Sequence, residues 1–266
     1  MLRTRVIAAL IFAPALAVIV WVGGLTLEIA CVIISMLALW EFLDLSLGKG
    51  QHYAKAFAYA AGLLVCFSTL KLPFGIPLST VWPCVTLVLM FSALTRPEPI
   101  EESMRRTGLL MLGVAYCTGL LPYLYRLRVL DAGLGLAMSA LFCTWAADTG
   151  AYFAGRVFGK RPLYARVSPK KTIEGLVGGL VAAIAAALAF RAVMHIPIRV
   201  ADSVVIGAIA ALFGVAGDLC ESLLKRSVGA KDSSSLIPGH GGVLDRFDAV
   251  MFVAPAVYLY IDVFVF

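Results

Sequence analysis

Runs of about twenty apolar residues recur along this chain, and that is the length an α-helix needs to cross the hydrocarbon core of a bilayer. Nine are read, at 5–23, 25–45, 55–71, 76–95, 107–125, 132–155, 173–194, 202–221 and 248–266. Lipid offers no water to backbone N–H and C=O groups, so such segments must satisfy them internally as helices. Only 14% of the 266 residues are charged, against roughly 25% in a soluble domain. The expectation is an all-α polytopic membrane protein of about nine transmembrane helices. The third run is short and fits a tilted or partly embedded helix. Helices and short connections use the whole length, so 1–266 is expected to be one integral unit.

Arg3 and Arg5 before an apolar run, with Ala15, Leu16 and Ala17 after it, resemble a signal peptide. The eight further apolar runs favour an uncleaved first span. With nine crossings, 17 of the 22 Lys and Arg fall on the side of the N-terminus. The positive-inside rule then places the N-terminus in the cytoplasm and the C-terminus outside. In a bacterial cell this is the cytoplasmic membrane. The six cysteines are scattered through apolar runs; they lack metal-site spacing and are expected to pack as small hydrophobes. The loop at 96–106 mixes both charges and reads as a solvated helix start.

Acids inside apolar runs are costly, about 2.5–3.5 kcal/mol at a helix centre on insertion scales. Glu28, Glu41 and Asp44 lie near the ends of the second run and read as interfacial. Asp262 reads as interfacial or packed. Asp148 lies deeper, and with Thr144, Tyr152 and Arg156 it forms one polar stripe at four-residue spacing. A site-facing role is expected for it. The loop after the sixth run carries six basic residues and no acid. Ser168 as N-cap and Pro169 at the first helical position predict a helix from 169. Lys170, Lys171 and Thr172 then surround an anion-binding N-terminus suited to phosphate. Gly175, Gly178 and Gly179 predict close helix approach.

Asp218, Glu221, Ser222 and Lys225 share one helical face. Two acids so close invite a cation, and carboxylates plus substrate phosphates are how Mg2+ is commonly held. The stretch 222–248 (SLLKRSVGAKDSSSLIPGHGGVLDRFD) adds four basic residues and three aspartates between apolar neighbours. Lys225, Arg226, Lys231 and Arg246 suit a triphosphate. Asp245 and Asp248 could complete a metal site with Asp218. His240 could bind phosphate or act as an acid, and Gly241 and Gly242 let backbone N–H groups approach phosphate oxygens. Neither GxxxxGK[ST] nor a helix-opening GxGxxG occurs, so a nucleotide would bind through metal and basic side chains. The competing class is a transporter using Asp148 and Asp218 as ion relays. Transporters usually carry internal repeats, and this sequence shows none.

Ser222, Leu224, Lys225, Arg226, Lys231, Asp232, Pro238, His240, Gly241, Gly242, Asp245, Arg246 and Asp248 together resemble the signature of the phosphatidate cytidylyltransferases, or CDP-diacylglycerol synthases. The SPKKTxEG run at 168–175 and the stretch 145–156 are similar to that family too, so the resemblance spans the chain. Ser234 departs from it, standing where many members have Gly. The resemblance implies transfer of a cytidylyl group from CTP to phosphatidic acid, Mg2+ dependence, K+ as a second cation and a homodimer. It maps metal ligation onto Asp218 and Asp245, with Asp248 in the matching motif, and phosphate binding onto Lys225, Arg226, Lys231 and Arg246. Residues 132–266 are then the catalytic helices, and 1–131 a scaffold, dimer or lipid-facing part. The bilayer is a partner and nucleic acid is not. Another CTP-using lipid enzyme, such as a polyprenol kinase, is the nearest alternative.

Overall fold

The computed structural model describes residues 2–48, 50–70, 76–94, 99–234, 236 and 241–265, with side chains from Phe12 onward. Its helices are α1 (Leu2–Val22), α2 (Gly24–Leu47), α3 (His52–Thr69), α4 (Leu78–Ala93), α5 (Ile100–Gly113), α6 (Tyr123–Arg128), α7 (Gly133–Phe158), α8 (Ile173–Val193), α9 (Val200–Ser227) and α10 (Leu244–Phe264). Every expected apolar run carries helix. The fifth is not one uniform rod: α5 opens at Ile100, passes into a π-helical turn over Val114–Thr118, and stops before α6. Pro122 stands at the break, and its ring removes a backbone donor there.

Among the described residues five stretches are long and apolar enough to cross a membrane: Gly24–Leu47, Ile100–Arg128, Ile173–Val193, Val200–Ser227 and Leu244–Phe264. The chain is thus a helical multi-pass membrane protein. One element departs from the all-α expectation. A two-stranded antiparallel hairpin, β1 (Pro162–Tyr164) and β2 (Ser168–Thr172), follows α7.

That hairpin corrects the expected helix start. Ser168 and Pro169 lie in β2, and α8 begins at Ile173 with Thr172 as its N-cap. The Thr172 hydroxyl accepts from the Gly175 N–H at 3.0 Å. Threonine is a favoured N-cap, ranking a little below serine. Glu174 then ties the hairpin entry down, accepting from the Lys160 and Arg161 amides at 3.0 and 3.2 Å.

Small residues set the helix spacing, as membrane packing favours. A Cβ on Gly150 would lie 2.5 Å from Ala182 Cβ, and one on Gly179 would lie 2.8 Å from the Ala147 carbonyl. The α8–α9 contact is as tight, with a Cβ on Gly207 falling 2.6 Å from Ile184 Cα. Gly207→Ala is therefore expected to cost about 1–3 kcal/mol through overpacking. It should lower the thermal midpoint in detergent. Gly108→Ala, at a helical glycine with nothing within 4 Å of a Cβ, should leave it unchanged or raise it.

All six cysteines are free. Arg106, expected in a solvated helix start, is instead buried and donates to Gln51 Oε1 at 3.3 Å. Asp44 is paired with Lys55. Asp262 accepts from the Tyr258 hydroxyl at 3.2 Å. Because α7 to α10 run antiparallel, the end of α7, the start of α8, the end of α9 and the start of α10 meet at one end of the bundle. The end of α2 joins them there.

Candidate active site

Two carboxylate groups form at this end. The first is built around Lys225, near the end of α9. Its ammonium lies against Glu221 one turn earlier and 2.5 Å from Asp245 Oδ1 on α10. Glu221 is 1% and Asp245 7% exposed in the side chain. Asp245 Oδ2 accepts from the Ser233 amide at 2.9 Å, the Ser233 hydroxyl at 2.8 Å and the Gly242 amide at 2.8 Å. An acid in the first turn of α10 also faces the positive end of the helix dipole.

Glycine is required beside this acid for two reasons. Gly241 has φ +79°, and a Cβ there would fall 2.5 Å from Asp245 Oδ2. A Cβ on Gly242 would overlap Ser233 Oγ and a carboxylate oxygen of Glu41.

Glu41 comes from α2 and is 1% exposed. Its Oε1 accepts from Ser234 Oγ at 2.6 Å and the Val243 amide at 2.9 Å. Its Oε2 accepts from Ser233 Oγ at 3.0 Å and the Leu244 amide at 2.7 Å. The two amides belong to the opening of α10, where helical N–H groups have no intrahelical acceptor. The interfacial reading of Glu41 is thus corrected: it is a buried acid held by the Ser234 hydroxyl, the Val243 and Leu244 amides, and the Ser233 hydroxyl it shares with Asp245. The one sequence signal was an acid standing inside the second apolar run.

The second group lies beside it. Lys171, just before α8, pairs with Asp218 Oδ2 at 2.7 Å, and Ser222 Oγ donates to Asp218 Oδ1 at 3.2 Å. Asp248 on α10 lies within electrostatic reach of Asp218, Asp148 and Lys171. Close approach at Gly217, where a Cβ would overlap the Asp248 carbonyl, brings α9 and α10 together at this level. Thr144 of the expected stripe is buried and bonds the Ala140 carbonyl at 2.7 Å. Arg156 donates to the Tyr152 hydroxyl at 3.3 Å at the exposed end of α7.

Arg226 donates to the Ala230 carbonyl at 3.2 Å. Lys231, Arg246 and Lys170 are exposed, and Ser168 and Thr172 are half-buried. Lys170 and Ser168 sit on β2 rather than at a helix N-terminus. His240 lies outside the described residues.

Does this arrangement suit a divalent cation? Among the described residues no three His, Cys, Asp or Glu side chains form a ready cation cage. The Oε1 of Glu221 is, however, buried with no hydrogen-bond partner, and the neighbouring acids offer hard oxygen donors. That suits a cation taking one or two carboxylates and completing its shell with water and substrate phosphates, as Mg2+ commonly does.

These features define a multi-pass helical membrane protein whose ionic side chains gather at one end of its last four helices. Residues 3–264 match the model of the cytidylyltransferase family. The chain is 33% identical over 254 residues to the phosphatidate cytidylyltransferase of Staphylococcus haemolyticus strain JCSC1435, covering 95% of this chain and 94% of that one. It is 33% identical over 254 residues to the protein of the same name in Staphylococcus aureus strain COL, with the same coverage. A 41% identity over 158 residues links it to the Bacillus subtilis strain 168 phosphatidate cytidylyltransferase, spanning 59% of each chain. The chain belongs to the cytidylyltransferase family.

Proposed function

We propose that the chain transfers a cytidylyl group from CTP to phosphatidic acid, giving CDP-diacylglycerol and pyrophosphate. The observation that carries this reading is the meeting of Lys171, Asp218, Asp248, Lys225, Glu221 and Asp245 at one end of four apolar helices. A membrane-bound anionic lipid and a soluble nucleotide can both reach such a place. A phosphatidate oxygen forms the new bond to the α-phosphorus of CTP, and the bond to the departing pyrophosphate breaks. In such transfers the protein chiefly positions the reactants and stabilises charge.

Asp218 and Asp248, with Glu221 and Asp245 beside them, would hold Mg2+. When bound, the cation supplies charge neutralisation between phosphate oxygens. Lys171 and Lys225 are held in place by these acids and stand ready for phosphate. Arg226, Lys231, Arg246 and Lys170 attract the triphosphate from the exposed rim. Ser222, Ser168, Thr172, Asp148, Gly241 and Gly242 are assigned to substrate binding, and His240 to phosphate binding or proton donation. K+ as a second cation rests on the family resemblance alone.

The same reading places nine crossings in a bacterial cytoplasmic membrane, the N-terminus and the loop at 222–248 in the cytoplasm, and the C-terminus outside. The charge asymmetry of the loops supports it. A homodimer completes it, with 132–266 catalytic and 1–131 mainly supporting. The test is purified protein in detergent with Mg2+ and CTP labelled in the nucleoside, with and without phosphatidic acid. Labelled CDP-lipid should form only with phosphatidic acid present. Transfer of γ-phosphate label to another lipid, with no CDP-lipid, would assign a kinase instead.

A further inference from the structure

We propose that Glu41 is a positioning residue for the transfer reaction, holding the working geometry of Asp245 and Lys225 from the N-terminal half of the chain. The inference rests on the function proposed above and adds a residue from outside its catalytic helices.

The acceptor pattern carries it. Each carboxylate oxygen of Glu41 takes one serine hydroxyl and one α10 amide: Ser234 and Val243 on Oε1, Ser233 and Leu244 on Oε2. All four donors belong to the loop and helix opening that present Asp245. Ser233 also donates its amide to Asp245, and its one hydroxyl proton is shared between Asp245 Oδ2 and Glu41 Oε2. Since Glu41 takes the amides of Val243 and Leu244, Asp245 turns to Gly242, Ser233 and Lys225. Glu41 touches neither Lys225 nor the Asp218 group in this arrangement, so its effect is transmitted through the backbone it holds. A carboxylate this enclosed is tolerated because both of its oxygens are hydrogen-bonded.

The geometry makes Glu41→Gln informative. In either orientation of the amide, its NH2 would face a backbone N–H of Val243 or Leu244, donor against donor. Glu41→Asp keeps both acceptors but withdraws them by one methylene. A misplacement of about 1 Å in a positioned group can cost about 100-fold in rate.

The experiment compares wild type, Glu41→Gln and Glu41→Asp for kcat and for KM toward CTP, together with backbone hydrogen exchange in detergent. Glu41→Gln should lower kcat at least tenfold while KM changes less than threefold, and Glu41→Asp should recover part of the loss. Exchange should rise at 233–234 and 241–248 and stay unchanged in α7 and α8. Wild-type kcat in Glu41→Gln would overturn the proposal, as would exchange rising equally across all helices. If Glu41→Gln does not fold, Glu41→Asp is judged by the same two readouts. If the wild type makes no CDP-lipid the proposed function fails, and the exchange pattern then still decides whether Glu41 holds this segment.

Discussion

Asp218→Asn should reduce turnover by about 100-fold or more while leaving expression and the thermal midpoint close to wild type. Asp218 is 38% exposed in its side chain, so the substitution strands no buried charge. It does remove the anion that Lys171 Nζ contacts at 2.7 Å and one of the acids acting on Asp248. Removing one preorganised oxyanion-hole donor costs other enzymes about 100- to 1,000-fold, which sets the scale expected here. The variant should also need more Mg2+ to reach half-maximal rate if this carboxylate helps hold the cation. Near-normal turnover at ordinary Mg2+ would remove Asp218 from the metal assignment. A Mg2+ titration of initial rates, with the melting curve alongside, separates these outcomes.

Lys225→Met should abolish measurable turnover and, unlike the first substitution, destabilise the fold by about 3–5 kcal/mol, the range for removing one partner of a buried ion pair. The reason is burial. Lys225 is 13% exposed, and the two carboxyl groups that share its single charge are 1% and 7% exposed. Without the ammonium, Glu221 and Asp245 face each other as like charges in a poorly solvated site. Methionine keeps most of the stem volume, so the effect is electrostatic rather than a cavity. Adding Glu221→Gln removes one of the stranded charges and should restore part of the lost stability without restoring turnover. Thermal unfolding of the two variants in detergent checks this. An unchanged midpoint in Lys225→Met would mean that the three groups do not share one ionic network.

Much of the architecture was legible because lipid is a demanding solvent. A run such as 202–221 has few foldings other than a helix, and α9 covers it. The glycines at 175, 178 and 179 announced close packing for the same reason: without a Cβ, backbones approach. Local rules did less well where two of them compete. Ser168 with Pro169 is a good helix opening, but Thr172 is another, and the pairing of β2 with β1 decides between them. Motif spacing assembled the acids into one metal site. The folded chain sorts them into Asp245 and Glu221 around Lys225, and Asp218 and Asp248 near Lys171.

From the sequence alone came the helical membrane class, the polar end of the late helices and the family, since each follows from composition, period or fixed local spacing. Tertiary structure decided which charges meet. Ion pairing depends on separations of a few ångströms between segments distant in the chain, and Glu41 reaches Ser233 across 192 positions. No local pattern encodes that distance; it arises only when α2 packs beside the opening of α10.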